Sequence, residues 1–198
     1  KLDGVRILAQ KRGDVVRLWY RSGRECTGSY PEVARAVRAL PADAALLDGE
    51  IVAFDEQGKP SFERVARRIH RTRADFRHAV TDVPVVYMAF DLIGVGDVSL
   101  IGTPLRERKR LLSELIAGKG VVRVLDHLEG SGEPLLEFCR QNELEGVVAK
   151  RADGPYRPGP KRSGDWIKTK CEKQALFAVV GYGEGEKGRR IGALDLAT

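Results

Sequence analysis

The sequence predicts an α+β fold, antiparallel sheets with helices packed against them, on three observations. The chain opens with apolar residues alternating about a tight turn, from Val5 to Tyr20, which is the period-two pattern of a hairpin. Two later runs, Leu46 to Phe54 and Pro84 to Ile93, are apolar and rich in β-formers, with the length of strands. Between and beyond them, apolar residues recur every three or four positions, the spacing that gives a helix one face to bury.

The elements follow in order. Val5 to Ala9 and Val15 to Tyr20 are strands joined at Arg12-Gly13-Asp14. Pro31 suits a first helical position, and Val33, Ala34, Val37 and Leu40 share one face, so a helix is predicted over 31–40. The two apolar runs carry carboxylates, Asp48 and Glu50 in the first and Asp91 in the second; those acids therefore lie on or beside strands. Ser61 can cap a short basic helix to about Arg68, its hydroxyl accepting from an unpaired backbone N–H. Thr103 and Pro104 start a longer helix through Ile116, Val121 to Leu125 reads as a strand, Glu133 to Gln141 as a helix and Glu145 to Lys150 as a strand. Gly154 to Pro160 is turn chemistry throughout, giving an exposed loop before Trp166 to Lys170 resumes extended structure. A domain boundary is predicted near Cys171. Residues 172–198 then hold two short strands, Leu176 to Tyr182 and Ile191 to Leu196, which read as the opening hairpin of a second β domain.

At 198 residues and 42% hydrophobic, the chain can bury one good core. No stretch approaches the roughly 20 apolar residues of a membrane span, nor does the start show the charged-then-apolar layout of a secretory signal, so a soluble, cytoplasmic protein with no membrane partner is expected. Its three cysteines, Cys26, Cys139 and Cys171, are widely spaced with no CxxC pair; they read as reduced thiols, not as zinc ligands or a disulfide framework. A net charge of +6 favours polyanionic partners. The basic residues concentrate at Arg64 to Arg77, Arg106 to Arg110 and Lys150 to Lys173, the last stretch also holding Tyr156 and Trp166.

Five separated segments carry the chemistry: Lys1-Leu2-Asp3-Gly4-Val5-Arg6, Leu47-Asp48-Gly49-Glu50, Phe90-Asp91, Glu145-Gly146-Val147-Val148-Ala149-Lys150, and Trp166-Ile167-Lys168-Thr169-Lys170. Lys168 and Lys170 alternate on one strand, so both ammonium groups point to one face, as suits a phosphate. In this order the five resemble the motifs of the covalent nucleotidyltransferases, the superfamily of DNA ligases, RNA ligases and capping enzymes. The wording of the later segments, with Tyr156-Arg157-Pro158-Gly159 between them, is most similar to ATP-dependent DNA ligases of the bacterial end-joining type.

The resemblance implies a nucleotidyltransferase domain of ATP-grasp-like form over 1–171, with 172–198 beginning an oligonucleotide-binding (OB-fold) barrel. It implies that Lys1 attacks the α-phosphate of ATP, that AMP passes to the 5′-phosphate of nicked double-stranded DNA, and that a 3′-hydroxyl then displaces it. A lysine is a weak nucleophile while protonated at its reference pKa of about 10.4; Lys168, Lys170 and a bound Mg²⁺ or Mn²⁺ would disfavour the ammonium form by like-charge repulsion. By the same resemblance Arg6 contacts nucleotide or nick, Glu50 holds the ribose or a metal, Phe90 stacks on adenine, Lys150 belongs to the nucleotide pocket, and Glu145 coordinates the metal, with Asp3 a further carboxylate beside it. Gly4 suits a close approach of backbone to nucleotide. Arg21 matches an arginine that grips the 5′-phosphate, with Arg24 as its rival, and Arg106 matches one near the nucleotide. A Ku-type end-binding protein, other domains of one polypeptide and a nucleoid-associated location follow from the end-joining type.

The first residue is the nucleophile itself and the second β domain is a single hairpin, so a fragment of a longer enzyme is expected, one that binds nucleotide but adenylates itself and seals nicks poorly. Two other readings are distinguishable. An RNA ligase or capping guanylyltransferase would differ in nucleotide or in the strand it seals, and a non-catalytic DNA-binding module would keep its DNA affinity when Lys1 is replaced.

Overall fold

Val5–Arg12 (β1) and Val15–Tyr20 (β2) form the predicted hairpin, paired antiparallel from Ile7 opposite Tyr20 to Arg12 opposite Val15. The structure, a computed structural model, describes residues 1–69, 80, 82–118, 120–159, 163–171, 176–185 and 190–197. Strands β3 (Ala44–Val52) and β4 (Val86–Val95) extend the sheet on the other side of β1, and a short β5 (Val98–Ser99) folds back on β4. The order is β2-β1-β3-β4-β5, antiparallel throughout. A sixth strand, β6 (Val122–Val124), joins β4 in parallel, which the sequence reading of purely antiparallel sheet did not anticipate.

Four α-helices lie among the described residues: α1 (Pro31–Arg38), α2 (Phe62–Ile69), α3 (Leu105–Leu115) and α4 (Glu133–Gln141). Pro31 stands in the first turn of α1, which buries Val33, Ala34 and Val37 and stops two residues short of the predicted end. Ser61 does cap α2, its hydroxyl accepting from the Arg64 amide at 3.4 Å, and the Asp3 carboxylate takes the Phe62 amide at 3.3 Å.

Alternation along each strand sorts the sheet into two faces. One carries the core: Ile7 and Ala9 of β1, Leu47 and Ile51 of β3, Tyr87 and Ala89 of β4, closed over by Val33 and Val37 of α1 and Leu112 of α3. The other carries Arg6 and Glu50, which are direct cross-strand partners. In β4 the register slips between Asp48 opposite Asp91 and Gly49 opposite Ala89, so Phe90 is the extra residue of a β-bulge. Bulges re-aim a side chain locally, and this one turns Phe90 towards Arg6, whose guanidinium carbon is 5.9 Å from the ring centre.

Two glycines of the motifs have packing reasons. A Cβ on Gly49 would meet the Tyr87 ring at 2.5 Å, and one on Gly4 would meet the Ile51 carbonyl oxygen at 2.4 Å. The close approach at Gly4 is therefore to β3 itself, where the sequence reading placed nucleotide.

A second, two-stranded sheet pairs β7 (Gly146–Lys150) with β8 (Trp166–Lys170), and a third pairs β9 (Ala178–Gly183) with β10 (Ala193–Ala197). Gly146 has φ +133°, and a Cβ there would lie 2.1 Å from the Thr169 carbonyl oxygen, so the residue after Glu145 has to be glycine for the hairpin to close. No helix among the described residues is long and apolar enough to cross a membrane.

Candidate active site

The β7–β8 hairpin brings its charged residues to the edge of β1 and β3. The Lys1 side chain donates to the Glu145 carboxylate, and its main-chain nitrogen donates to the Gly146 carbonyl. Lys170 Nζ lies 3.8 Å from the other Glu145 oxygen. One carboxylate thus holds two of the three predicted catalytic lysines. Glu50 is the next acid along: burial pushes its carboxyl above the ordinary range, the charges of Lys1, Arg6 and Lys168 pull it back, and Glu145 adds to the rise. Lys1, Arg6, Glu50, Glu145, Lys168 and Lys170 therefore share one electrostatic neighbourhood, drawn from both ends of a span of 170 residues.

Beside this cluster stands an aromatic wall. Phe90 and Trp166 meet edge to face, 5.8 Å between ring centres and 78° between planes, and Tyr156 meets Trp166 likewise at 6.2 Å and 85°. Lys150 Nζ sits 4.1 Å from the Phe90 ring centre and 3.8 Å from that of Trp166, within cation–π range. Burial pulls the Lys150 amine down to about 8, against the opposing pull of Asp91 and Asp48. Its ammonium form is therefore lost as pH rises through about 8, where an exposed lysine would hold its proton to about 10.4. Tryptophan emission is accordingly expected to change with a midpoint near pH 8, and Lys150→Met is expected to remove that step. A midpoint above pH 10, or the same step in the variant, would refute it.

Arg6 is fixed from below. Its Nε donates to Asp48 Oδ1 at 2.9 Å and its Nη2 to Oδ2 at 2.6 Å, a bidentate pair on a carboxylate with no solvent exposure. Such paired, charge-assisted bonds are the strong kind. They hold the guanidinium between strand and wall, 5.6 Å from the Trp166 ring centre.

The remaining predicted residues fall at the margins. Asp3 faces the start of α2 and lines, with Lys1 and Glu145, an open cleft of about 710 Å³. Arg21 is exposed in the turn after Tyr20, which lies opposite Ile7, so it stands at the same end of the sheet as Arg6. Its rival Arg24 lies over the Tyr20 ring, 4.9 Å from the centre. Arg106 is also exposed, at the start of α3; its amide donates to the Ala152 carbonyl at 2.9 Å and its charge bears on Asp153.

The buried arginine of that segment is Arg108, which the sequence reading passed over. It donates to both oxygens of Asp91, at 2.7 and 3.0 Å, and to the Gly154 carbonyl at 3.1 Å, and neither side chain of the pair is exposed. A signal existed: Arg108 falls at helical spacing between Leu105 and Leu112, on the stripe that α3 buries. Asp48 carried a similar one, an acid set among apolar residues of a strand, where an ionised group must find a partner. Some of the basic charge is likewise paired. Arg68 is fully buried against Glu32 at 2.8 Å, and the exposed Arg157 reaches Asp165 at 2.5 Å; residues 70–77 of the first basic stretch lie outside the described residues. Cys26, Cys139 and Cys171 are free thiols, as the spacing predicted.

An aromatic wall, five cations and two neighbouring carboxylates thus gather beside the sheet, a set of groups whose chemistry suits a nucleobase joined to phosphates. Among known families, the one described as ATP dependent DNA ligase domain matches residues 1–170. The chain is 36% identical over 198 residues to the multifunctional non-homologous end joining protein LigD of Mycolicibacterium smegmatis, covering 99% of this chain and 24% of that protein. It is 39% identical over 196 residues to a probable DNA ligase of Beutenbergia cavernae, covering 98% and 37%. Among solved structures, the ligase domain of Mycobacterium tuberculosis LigD superposes with a TM-score of 0.71 at 36% identity, over 86% of this chain and 52% of that one. A mycobacterial DNA ligase D complexed with ATP superposes at 0.72 and 32% identity, over 99% and 60%. The chain belongs to the ATP-dependent DNA ligase domain family. It spans less than two fifths of the length of either curated relative.

Proposed function

We propose that this chain provides the adenylating site of an ATP-dependent DNA ligase. The carrying observation is that Lys1 meets Glu145, with Lys170 on the same carboxylate and Lys168 two residues before it on the same strand. The Lys1 amine attacks the α-phosphorus of ATP, a P–N bond forms as the bond to pyrophosphate breaks, and the amine loses its proton. AMP then passes to the 5′-phosphate of nicked double-stranded DNA, and the 3′-hydroxyl displaces AMP to seal the strand. These are in-line displacements in which positioning and charge neutralisation do most of the work.

Lys168 and Lys170 bind phosphate oxygens from one face of β8. Phe90 and Trp166 offer their rings to adenine, a contact of the stacking kind worth about 1–3 kcal/mol, and Lys150 and Arg6, now on those rings, move or share the space. Glu50 meets the ribose. Glu50 and Glu145 fit a divalent cation that keeps several waters, since Mg²⁺ is usually bound through one or two carboxylates; among the described residues no three metal-ligating side chains converge, and Asp3 is the third carboxylate in reach of the cleft. Bound there, Mg²⁺ or Mn²⁺ would neutralise phosphate charge and disfavour the ammonium form of Lys1. Arg21 is assigned to the 5′-phosphate of the nick and Arg106 to the nucleotide side, on their exposure and sequence context.

Residues 1–171 form the adenylating domain and 172–198 begin an OB-fold barrel: Leu176, Val180 and Tyr182 of its hairpin are exposed at 99%, 67% and 65%, and a two-stranded hairpin seldom stands alone. With the end-joining reading, for which relatives named for non-homologous end joining speak, go the proposed partners, a Ku-type protein and further domains of one polypeptide, and a proposed place at the nucleoid.

Incubation with α-labelled ATP and Mg²⁺, followed by a denaturing gel, tests the reading. Label that survives denaturation is expected from ATP and not from GTP. Labelling by GTP alone, or by neither, would overturn it.

A further inference from the structure

The loop between β7 and β8 sends one side chain back under the site. Tyr156 is 7% exposed, and its hydroxyl donates to Asp48 Oδ2 at 2.8 Å, the same oxygen that Arg6 Nη2 grips at 2.6 Å; the Arg6 Nη2 to Tyr156 oxygen distance is 3.3 Å. Burial and the Asp48 carboxylate both push the phenol above its ordinary range, so it remains a donor at any working pH. The loop itself is pinned. The Tyr156 amide donates to the Ile101 carbonyl at 2.8 Å, and the Gly154 carbonyl accepts from the Leu105 amide at 3.0 Å and from Arg108 at 3.1 Å. Tyr156 thus joins the loop that Arg108 pins to the Arg6–Asp48 pair.

We propose that Tyr156 is a positioning residue for nucleotide binding, its phenol holding Asp48 so that the Arg6 guanidinium stands ready for the phosphates. The inference deepens the adenylating-site reading and rests on it. Asp48 alone holds Arg6 by two bonds; the phenol supplies a third contact, and its ring also backs Trp166. Removing the hydroxyl keeps the ring and its packing and withdraws one donor from Asp48 and one contact from Arg6.

The test is Tyr156→Phe, measured in the chain as it stands. Self-adenylation is expected to show KM for ATP raised about tenfold, equivalent to about 1.4 kcal/mol, with the rate at saturating ATP unchanged and the thermal midpoint lowered by only a few degrees, since Asp48 keeps both bonds from Arg6. In an Arg6→Ala background the same substitution is expected to change KM by less than about twofold, because its effect passes through Arg6. A second readout needs no ATP: hydrogen exchange at Arg6 Nε, followed by NMR, is expected to speed up in Tyr156→Phe. Unaltered KM and exchange, or a KM effect that persists without Arg6, overturns the role of Tyr156. Absence of label in the parent, with the exchange effect present, counts instead against the adenylating site.

Discussion

Lys1→Ala is expected to abolish covalent labelling by ATP while leaving nucleotide affinity within a few-fold of the parent. Deleting a covalent nucleophile costs on the order of 10⁶-fold in rate, beyond the reach of a gel assay. The proposed binding groups are separate from it: the rings of Phe90 and Trp166, the guanidinium of Arg6 and the ammonium groups of Lys168 and Lys170 stay where the strands put them. Nor does the substitution leave a bare buried charge, since Glu145 keeps Lys170 at 3.8 Å and is itself partly exposed. Equal labelling of parent and variant would remove the nucleophile assignment, and loss of ATP binding along with label would mean that Lys1 serves chiefly as a phosphate ligand.

Arg108→Ala is expected to destabilise the chain by about 3–5 kcal/mol, the cost of breaking a buried ion pair from one side. Asp91 would be left in the interior with no exposure and would have to take up a proton or draw in water. The Thr103 and Gly154 carbonyls would each lose one donor as well, loosening the loop that carries Tyr156. Against a total stability of about 5–15 kcal/mol, a loss of this size should show as a large drop in urea midpoint. The double variant Asp91→Leu with Arg108→Met is expected to recover part of it, because replacing both ions removes the uncompensated charge. A single-variant loss below about 1 kcal/mol would show that water already reaches the pair.

Much of this is legible in the sequence. The hairpin at Val5 to Tyr20 announces itself by alternation, α1 by Pro31 and the shared face of Val33, Ala34 and Val37, and Lys168 and Lys170 by their period of two. Strand limits moved by two residues at β3, predicted from Leu46 and observed from Ala44, because Ala44 and Ala45 have little β preference and enter the sheet only through pairing with Arg12 and Lys11. The parallel β6 and the bulge at Phe90 had no local signal. Both depend on which strand lies alongside β4 and at what register, a choice made by packing between segments some 30 to 40 residues apart in the chain.

The sequence by itself determined the family and marked the candidate site, since the types and order of five short motifs single out Lys1 as the proposed nucleophile together with its proposed cations and carboxylates. Only the tertiary structure decided what each charge is paired with. It gave Arg6 to Asp48, Arg108 to Asp91 and Arg68 to Glu32, placed Lys150 on two aromatic rings, and left Arg106 on the surface. The physical reason is that the energy of a charge is set by burial and by neighbours within a few ångströms, and those neighbours come from strands and helices that no local pattern brings together.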